Sequence, residues 1–345
     1  MEHGLSPLEK KAILILGGPV KIPADLHLGF KPSRSTAGPG AGSTTFVMSF
    51  EGMRIKKAFN REQGEFELVQ KDDHFSLLRH GTHFLDRVEI SPALFHSPEQ
   101  AFFNLEQACI YRCAFCTSPR LGKDVLKDLT PQKVVDMIVD ASQRPDLKAV
   151  ALTSAVSREP SETVRKMEFV VREVRRRLGP EMPIGVEPYI ARLEDIDLLK
   201  AAGADEIKLN IETYDEDIFA KVCGEQDLAW ILQALTYAVQ VFGRGQVTSN
   251  IIIGMGESDE NVLAGVEALA QLGVVPSLRP LRVNDINRQP LREAIGEVPP
   301  VTPERLLRLN RAAKEILKKH GLTTMSYRTM CHECGCCDIV PFRDF

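Results

Sequence analysis

Residues 183–212 read PIGVEPYIARLEDIDLLKAAGADEIKLNIE: a strand, a short helix closed by glycine, and a second strand. PIGVEPYI and EIKLNIE are short β-rich runs, and LEDIDLLKAAG between them carries apolar residues at helical spacing. A strand that returns to a strand through a helix is a parallel βαβ unit. The pattern continues in both directions. Upstream lie a strand in FFNLEQAC, a helix at about 131–143, a strand at 149–154 and a charged amphipathic helix at 161–178. Downstream come a helix at 226–242, the strand VTSNIIIG at 247–254, a helix at 258–272 and the strand VPSLRPLRV. A loop with two prolines follows, and then a helix at 303–320 that ends in KKHG. Six units predict an α/β fold two units short of an eight-fold barrel. On alternation alone, a partial (β/α)6 barrel and an open sheet fit equally well.

The first hundred residues differ. KAILILGG, a Gly/Pro/Ser-rich stretch from Lys31 to Ser43, and β-type runs in TTFVMSFEGMRIKKAF, FELVQKDD and HFLDRVEI predict a small α+β or mostly β lead-in. The loop at 34–43 has the glycines to let a phosphate approach its backbone. It lacks the spacing of a P-loop or a dinucleotide fingerprint, so a connecting loop is the better reading. The whole chain has 345 residues, 43 Lys+Arg against 47 Asp+Glu, a formal net charge of −4 and 43% hydrophobic residues. That is ample for a substantial core and excludes a disordered chain. It offers no electrostatic footprint for nucleic acid or an anionic membrane. No apolar run reaches the ~18 residues a spanning helix needs, and the N-terminus has too short an apolar stretch for a secretory signal, so a cytoplasmic chain is expected.

The eight cysteines are unevenly placed: three lie in 109–116, four in 331–337, and Cys223 stands alone. Clustering of this kind suggests metal or catalysis rather than disulfides. Cys109-Ile-Tyr-Arg-Cys113-Ala-Phe-Cys116 is a Cx3Cx2C triplet just past a predicted strand. Three thiolates on one loop can converge on an iron–sulfur cluster and leave one iron open to a small molecule. A zinc knuckle is the alternative, and it needs a fourth Cys or His close by. Cys331-His-Glu-Cys334-Gly-Cys336-Cys337 puts four thiolates within seven residues, enough to enclose a cluster or a metal. Adjacent Cys336 and Cys337 cannot easily point the same way, so three of the four completed by Cys223 or a non-cysteine ligand is also open. A structural zinc site and a redox-exposed tail are further alternatives. Of the eight histidines only His332, inside the tail, is a plausible ligand. Cys223 itself reads as a plain loop cysteine.

CIYRCAFC, with aromatic Phe115 before its last cysteine and a place after the first strand of the βα series, resembles the signature of the radical S-adenosylmethionine (radical SAM) superfamily. The resemblance covers about residues 100–320. It implies a partial (β/α)6 barrel with a [4Fe-4S] cluster on Cys109, Cys113 and Cys116. The open iron would chelate the amino and carboxylate groups of S-adenosylmethionine, and one-electron reduction would release a 5′-deoxyadenosyl radical that abstracts hydrogen from an unactivated carbon. The chain then divides into an N-terminal α+β or β-rich lead-in at 1–100, a radical SAM partial barrel at 101–322, and a cysteine-rich C-terminal segment at 323–345.

Ligands meet the C-terminal ends of barrel strands, which makes the polar residues there candidates for holding the cofactor. Thr153, Ser154 and Ser157 end the second strand, where the family often has a Gly-Gly-Glu motif and this chain has LTSAVSRE. Glu187 on the third strand, and Asn210 with Glu212 on the fourth, are placed to hydrogen-bond a ribose or the amino group. Gly254-Met-Gly256-Glu257 resembles the family's segment beside the adenine, and Arg279 and Arg282 on the sixth strand are suited to a carboxylate. A capping role competes at Glu257, next to a helix start at Ser258 and Asn261.

Two segments narrow the family. ALTSAVSRE resembles the T-S-V-D-R-D segment of lipoyl synthases, and LNIET with IIIGMGESDENV resembles their N-x-E-T and G-L-G-E-T/S-D-E-E-V runs. Biotin synthase shares a similar G-L-G-E-T segment. Both families insert sulfur into unactivated C–H bonds and sacrifice a second cluster, which implies an auxiliary iron–sulfur cluster on Cys331, Cys334, Cys336 and Cys337. Ser326, in LTTMSYR, resembles the C-terminal serine ligand of lipoyl synthases. The chain departs from both patterns: no cysteine precedes Cys109, where lipoyl synthases place three, and the strands have none of biotin synthase's cysteines. The resemblance is therefore closest to the two-protein lipoyl synthases. It implies a second radical SAM subunit, a lipoyl-carrier protein presenting an octanoyl chain to an apolar channel, and a reductant such as ferredoxin or flavodoxin. The runner-up is a rearrangement or cofactor-maturation enzyme with a structural or electron-relaying tail cluster.

Overall fold

The computed structural model describes residues 4–34, 43–93, 97–122 and 129–345, so most of the Gly/Pro/Ser loop at 34–43 lies outside the described residues. The chain begins with α1 (Pro7–Leu16), which contains KAILIL. It is helical because Ser6 and Glu9 form a reciprocal capping box and Pro7 opens the first turn. The helix stops at Gly17, where a Cβ would stand 2.6 Å from the Phe66 ring. The buried Lys57 ammonium donates to the Leu14 and Gly17 carbonyls at 2.7 and 2.8 Å, satisfying acceptors the helix end leaves free.

Seven strands follow: β1 (Val20–Lys21), β2 (Ser33–Arg34), β3 (Thr44–Phe50), β4 (Met53–Asn60), β5 (Phe66–Lys71), β6 (His74–Arg79) and β7 (Thr82–Ser91). They pair in the order β2-β3-β4-β1-β5-β6-β7, and β7 also pairs with β3 through Val47 opposite Ser91. Six of them therefore close into a small barrel, with β2 added beside β3. Phe46, Met48, Ile55, Phe66, Leu68 and Leu77 are buried in its core.

The remaining strands are β8 (Gln100–Asn104), β9 (Ala149–Thr153), β10 (Ile184–Glu187), β11 (Glu206–Lys208), β12 (Val247–Ile253) and β13 (Val274–Pro280). They form one parallel sheet in sequential order. The predicted helices connect them: α2 (Pro131–Ala141), α3 (Pro160–Leu178), α4 (Glu194–Ala201), α6 (Leu228–Phe242), α7 (Asp259–Leu272) and α9 (Pro303–Lys319). This is the α/β fold expected, a partial (β/α)6 barrel. Every residue of β8 and β12 is buried, as parallel strands covered on both faces require. Two short helices that the periodicity does not predict lie in the connections, α5 (Glu216–Val222) and α8 (Arg288–Ile295). The second forms within the two-proline loop because Pro290 falls in its first turn, where no helical donor is lost. Among the described residues no helix is long and apolar enough to cross a membrane.

Side chains from the strands normally fill the interior of such a barrel. Here the C-terminal segment, including α10 (Met330–Cys334), threads into it. Gly185 on β10 leaves the room: a Cβ there would lie 2.1 Å from Thr329 Oγ1. Met330 packs on Phe102 and Ala151. The Gln100 side chain accepts from the Met330 N–H at 2.7 Å and donates to the Met330 carbonyl at 3.0 Å. Glu206 accepts from the N–H groups of Arg328 and Thr329 at 2.8 and 3.2 Å and from the Thr329 hydroxyl. The Tyr327 hydroxyl donates to the Val247 carbonyl at 2.7 Å.

Candidate functional site

At the C-terminal ends of β8 to β13 lies a cavity of about 350 Å³, and both cysteine groups border it. Cys109, Cys113 and Cys116 reach it from the loop after β8, while Cys331 and Cys337 reach it from the inserted tail. Thr45, Lys56 and Ala58 of the N-terminal barrel complete its wall.

The triplet loop is pinned by its backbone. Ile110 N–H donates to the Val156 carbonyl at 2.7 Å, and Ala114 N–H to the Val222 carbonyl at 2.8 Å. Arg120 donates to the carbonyls of Cys113 and Cys116 at 2.9 and 2.7 Å, and Asn287 donates to that of Phe115 at 2.8 Å. The Gln226 amide donates to Cys113 Sγ at 3.1 Å. Burial pushes the Cys109 thiol up and the Cys116 thiol to about 11, so ligation here displaces protons. Cys223 is buried and hydrogen-bonded to Cys113, which also drives its own thiol far up. It belongs beside the triplet, and neither a bystander loop cysteine nor a ligand completing the tail describes it.

Thr153, Ser154, Glu187, Asn210, Glu212, Arg279 and Arg282 all line the cavity. Their commitments differ. The Ser154 hydroxyl accepts from Glu106 N–H at 3.1 Å and donates to the Ala155 carbonyl at 2.7 Å. Ser157 is absent from the lining: its hydroxyl donates to Glu106, which also takes Thr163 and Lys166. Gly254, Gly256 and Glu257 are absent from it too. The Glu257 carboxylate turns back to accept from the N–H groups of Gly254 and Met255, both at 2.7 Å, and pairs with Arg305 at 2.9 Å. Gly254 and Gly256 take φ of +100° and +106° to make that turn, and Ser258 caps α7, so the capping reading of this segment is the one the structure supports.

On the cavity floor Glu187 accepts from Asn210 at 2.9 Å and pairs with Lys208 at 3.2 Å. Burial alone would push Glu187 up, but Lys208 and Asn210 hold it below the usual carboxylate range. Glu212 sits at φ +61°, where non-glycine residues are uncommon, and burial pushes its carboxyl up to about 7. Asn250 Oδ1, also at the cavity, is buried without a hydrogen-bond partner. Arg279 pairs with Asp338 of the tail at 2.9 Å, and Arg282 donates to the Cys337 carbonyl at 3.4 Å. These arginines hold the tail, a role that the reading as free carboxylate binders missed. Lys208, Gln226, Asn250 and Asp338 escaped the sequence reading. Lys208 had a signal: in EIKLNIE every second residue is polar, so one polar face turns inward.

The tail cysteines divide. Cys331 faces the cavity with Lys208 Nζ 3.8 Å from its sulfur, and Cys337 faces it beside Arg282. Cys334 and Cys336 face the N-terminal barrel: Ser97 donates to Cys334 Sγ at 3.2 Å, and Cys336 packs with Val47 and Ala93. The Cys336 thiol, which also donates to the Cys334 carbonyl at 3.3 Å, together with Ser97 and Arg54 pushes the Cys334 thiol down from its ordinary range. His332 is buried against Tyr327, 3.2 Å from the Thr248 hydroxyl, and burial pushes it down to about 4. It is a neutral packing residue, not the expected ligand. Ser326 is exposed and donates to the Gly245 carbonyl at 3.5 Å, at the opposite end of β12 from the cavity, so it does not complete the tail site either.

Among the described residues no three His, Cys, Asp or Glu side chains close on one point as a single metal ion requires. Three cavity-facing thiols on one loop suit a larger body, an iron–sulfur cluster with one iron turned to the cavity. The radical SAM superfamily matches residues 104–269. The lipoyl synthase of Actinobacillus pleuropneumoniae serotype 3 is 29% identical over 205 residues, 57% of this chain and 60% of that protein. The lipoyl synthase of Haemophilus ducreyi is 28% identical over 209 residues, 58% and 61%. The chain thus spans about three fifths of the length of these curated relatives. Among solved structures, methylornithine synthase aligns with a TM-score of 0.51 at 17% identity, over 65% of this chain and 69% of that one. The hydrogenase maturase HydG from Carboxydothermus hydrogenoformans also aligns at 0.51 and 17%, over 70% and 57%. These two likenesses concern the fold, and that fold is the partial barrel described. A [4Fe-4S] cluster and S-adenosylmethionine are the cofactors of the superfamily, and the three-cysteine loop over this cavity is where this chain would hold them. Residues 104–269, which hold the three-cysteine loop and most of the parallel sheet, are the part of the chain similar to the radical SAM superfamily.

Proposed function

We propose that this protein inserts sulfur into unactivated C–H bonds of an octanoyl chain on a carrier protein, as one half of a two-protein lipoyl synthase. One observation carries the reading: the radical triplet and two tail cysteines open onto the same cavity. Likeness to lipoyl synthases supports it. Cys109, Cys113 and Cys116 would hold the [4Fe-4S] cluster that, with S-adenosylmethionine, would supply the radical chemistry at C6 or C8, and Cys331, Cys334, Cys336 and Cys337 would hold the auxiliary cluster that would supply the sulfur.

The chain's own residues prepare the ground. Glu187 and Asn210 offer acceptors to an amino group or a ribose, and Asn250 Oδ1 offers another. Lys208 stands between Glu187 and Cys331 and balances negative charge on both sides. Phe102, Val156, Ile252, Pro280 and Leu281 give an acyl chain apolar lining, beside the charged Glu187, Lys208 and Glu212. The charged floor favours a second reading, rearrangement of a polar substrate, with the tail cluster structural or electron-relaying. In either case the lead-in at 1–100, the barrel at 101–322 and the tail at 323–345 act together. A second radical SAM subunit, the carrier protein and a ferredoxin- or flavodoxin-like reductant are the partners of the leading reading.

The test is anaerobic. Reconstituted protein should carry about eight irons per chain if both sites hold cubanes. With S-adenosylmethionine, reductant and an octanoyl-lysyl peptide, a thiolated peptide should form as tail iron is lost. S-adenosylmethionine cleavage by the unaltered chain with no thiolated peptide, or a thiolated peptide that still forms after Cys334→Ala and Cys336→Ala, would sink the insertion reading.

A further inference from the structure

The N-terminal hundred residues contribute no cysteine, yet β4 of their barrel, α1 and the segment just before β8 all bind the tail. Arg54 on β4 donates Nε to the Cys334 carbonyl at 2.8 Å and Nη2 to the Glu333 carbonyl at 3.1 Å, while Nη1 pairs with Glu99 at 2.9 Å. Lys56 N–H, on the same strand, donates to the Cys336 carbonyl at 2.7 Å. Lys11 of α1, fully buried, donates to the Gly335 carbonyl at 2.9 Å and pairs with Asp344 at 2.7 Å. The Ser97 hydroxyl, just before β8, donates to Cys334 Sγ.

From this we infer that the N-terminal barrel is the retaining wall of the tail centre: it clamps the Cys334–Cys336 edge through Arg54, Lys56, Lys11 and Ser97 and leaves the Cys331–Cys337 edge open to the cavity. The inference rests on reading residues 331–337 as an iron–sulfur site. Its physics is independent of what that site later does. Donors held by a closed barrel fix the backbone carbonyls around Cys334 and Cys336, so those two thiolates keep their positions when the cluster changes charge or loses an atom. The opposite edge is held from the partial barrel instead, by Lys208 at Cys331, by Arg282 at the Cys337 carbonyl and by the Arg279–Asp338 pair next to Cys337. An O–H donor to a cluster thiolate also stabilises the more negatively charged reduced state and raises its potential. Ser97 and Arg54 are thus positioning residues for this centre.

The experiment uses the full chain with Cys109, Cys113 and Cys116 all changed to alanine, so that only the tail can hold iron. After anaerobic reconstitution this background should bind about four irons. Adding Arg54→Ala should let a chelator extract that iron about tenfold faster. Ser97→Ala, a change too small to unfold the barrel, should move the reduction potential of the remaining cluster to a more negative value, and Ser97→Thr should restore it. If the background holds its cluster and neither extraction rate nor potential changes, the clamp is wrong while the iron–sulfur reading stands. If the background holds no iron, the iron–sulfur reading of the tail fails and the clamp falls with it.

Discussion

The two cysteine groups reach one cavity by opposite routes. The triplet occupies eight residues, 109–116, and its three thiols come from one loop, held by Arg120 nearby in sequence and by Val156, Val222, Gln226 and Asn287 from the ends of the partial barrel. The tail group is placed by residues from everywhere else: Gln100, Gly185, Glu206 and Arg279 inside the partial barrel, Lys11 and Arg54 outside it. A site built on one loop announces itself in a spacing, whereas a site built by threading depends on holes left in distant strands. The first tolerates change elsewhere in the chain, and the second does not.

The harshest way to test that difference is Gly185→Val. Its side chain would enter the space of Thr329 and Met330, neither of which can swing clear inside the barrel. Ordinary overpacking costs about 1–3 kcal/mol, and the cost here is larger, because a Cβ alone would already stand 2.1 Å from Thr329 Oγ1 and two methyls have to follow it. The expected outcome is a tail that limited proteolysis removes, with tail iron lost and the triplet's iron retained; loss of both together would show that the sites are not separable. Lys208→Met comes next, because Lys208 lies between the groups and removing it strands Glu187 in a buried place without its cation. Breaking a buried pair in this way costs about 3–5 kcal/mol, read as a fall of several degrees in the thermal midpoint. A fall confined to protein with an emptied tail would assign Lys208 to Glu187 alone and not to Cys331.

The smallest effect concerns Glu212, on the triplet's side. Its carboxyl rises from 4.5 to about 7 in the folded chain through burial. A raised acid contributes its stability below the unfolded value of about 4.5 and loses it as pH climbs through about 7, so at pH 8 the ionised group opposes folding by about 2–3 kcal/mol. Glu212→Gln without cofactors should melt with the parent at pH 5 and a few degrees above it at pH 8. An equal gain at both values would mean that packing, not charge, is what Glu212 strains.

The partial barrel was readable because each parallel strand is a short buried run and each helix has its own periodicity, so local pattern and fold agree for β9 to β13. FFNLEQAC misled at its end: β8 stops at Asn104, and Glu106 turns away to collect Ser157, Thr163 and Lys166. KAILIL was given no element of its own, although Ser6 and Glu9 write a capping box in front of it. Cys109, Cys113 and Cys116 were legible from spacing, and Glu187, Asn210 and Glu212 from polar residues inside β-rich runs. Glu257 was not, because a carboxylate that folds onto its own loop looks the same in sequence as one offered to a ligand. His332 and Ser326 failed for a related reason: nearness in sequence to cysteines says nothing about which face of a threaded segment they take. Cys223 found its neighbour only once α5, an unpredicted helix, set it against the loop of Cys113.

Gln100 and Met330, which exchange two hydrogen bonds, are 230 positions apart. At ordinary rates of synthesis β8 is therefore made roughly 10–50 s before the segment that packs on it, and the sheet, complete once Pro280 of β13 is made, waits roughly 2–10 s for that segment. During that interval the interior is hollow, and Gly185 and Ala151 face an unfilled space. The nascent barrel is then at its most accessible to iron, sulfide and chaperones, and it is also most exposed to oxygen and aggregation. Insertion of the tail ends that interval, so the order of translation itself sets when the centre between the two cysteine groups becomes enclosed.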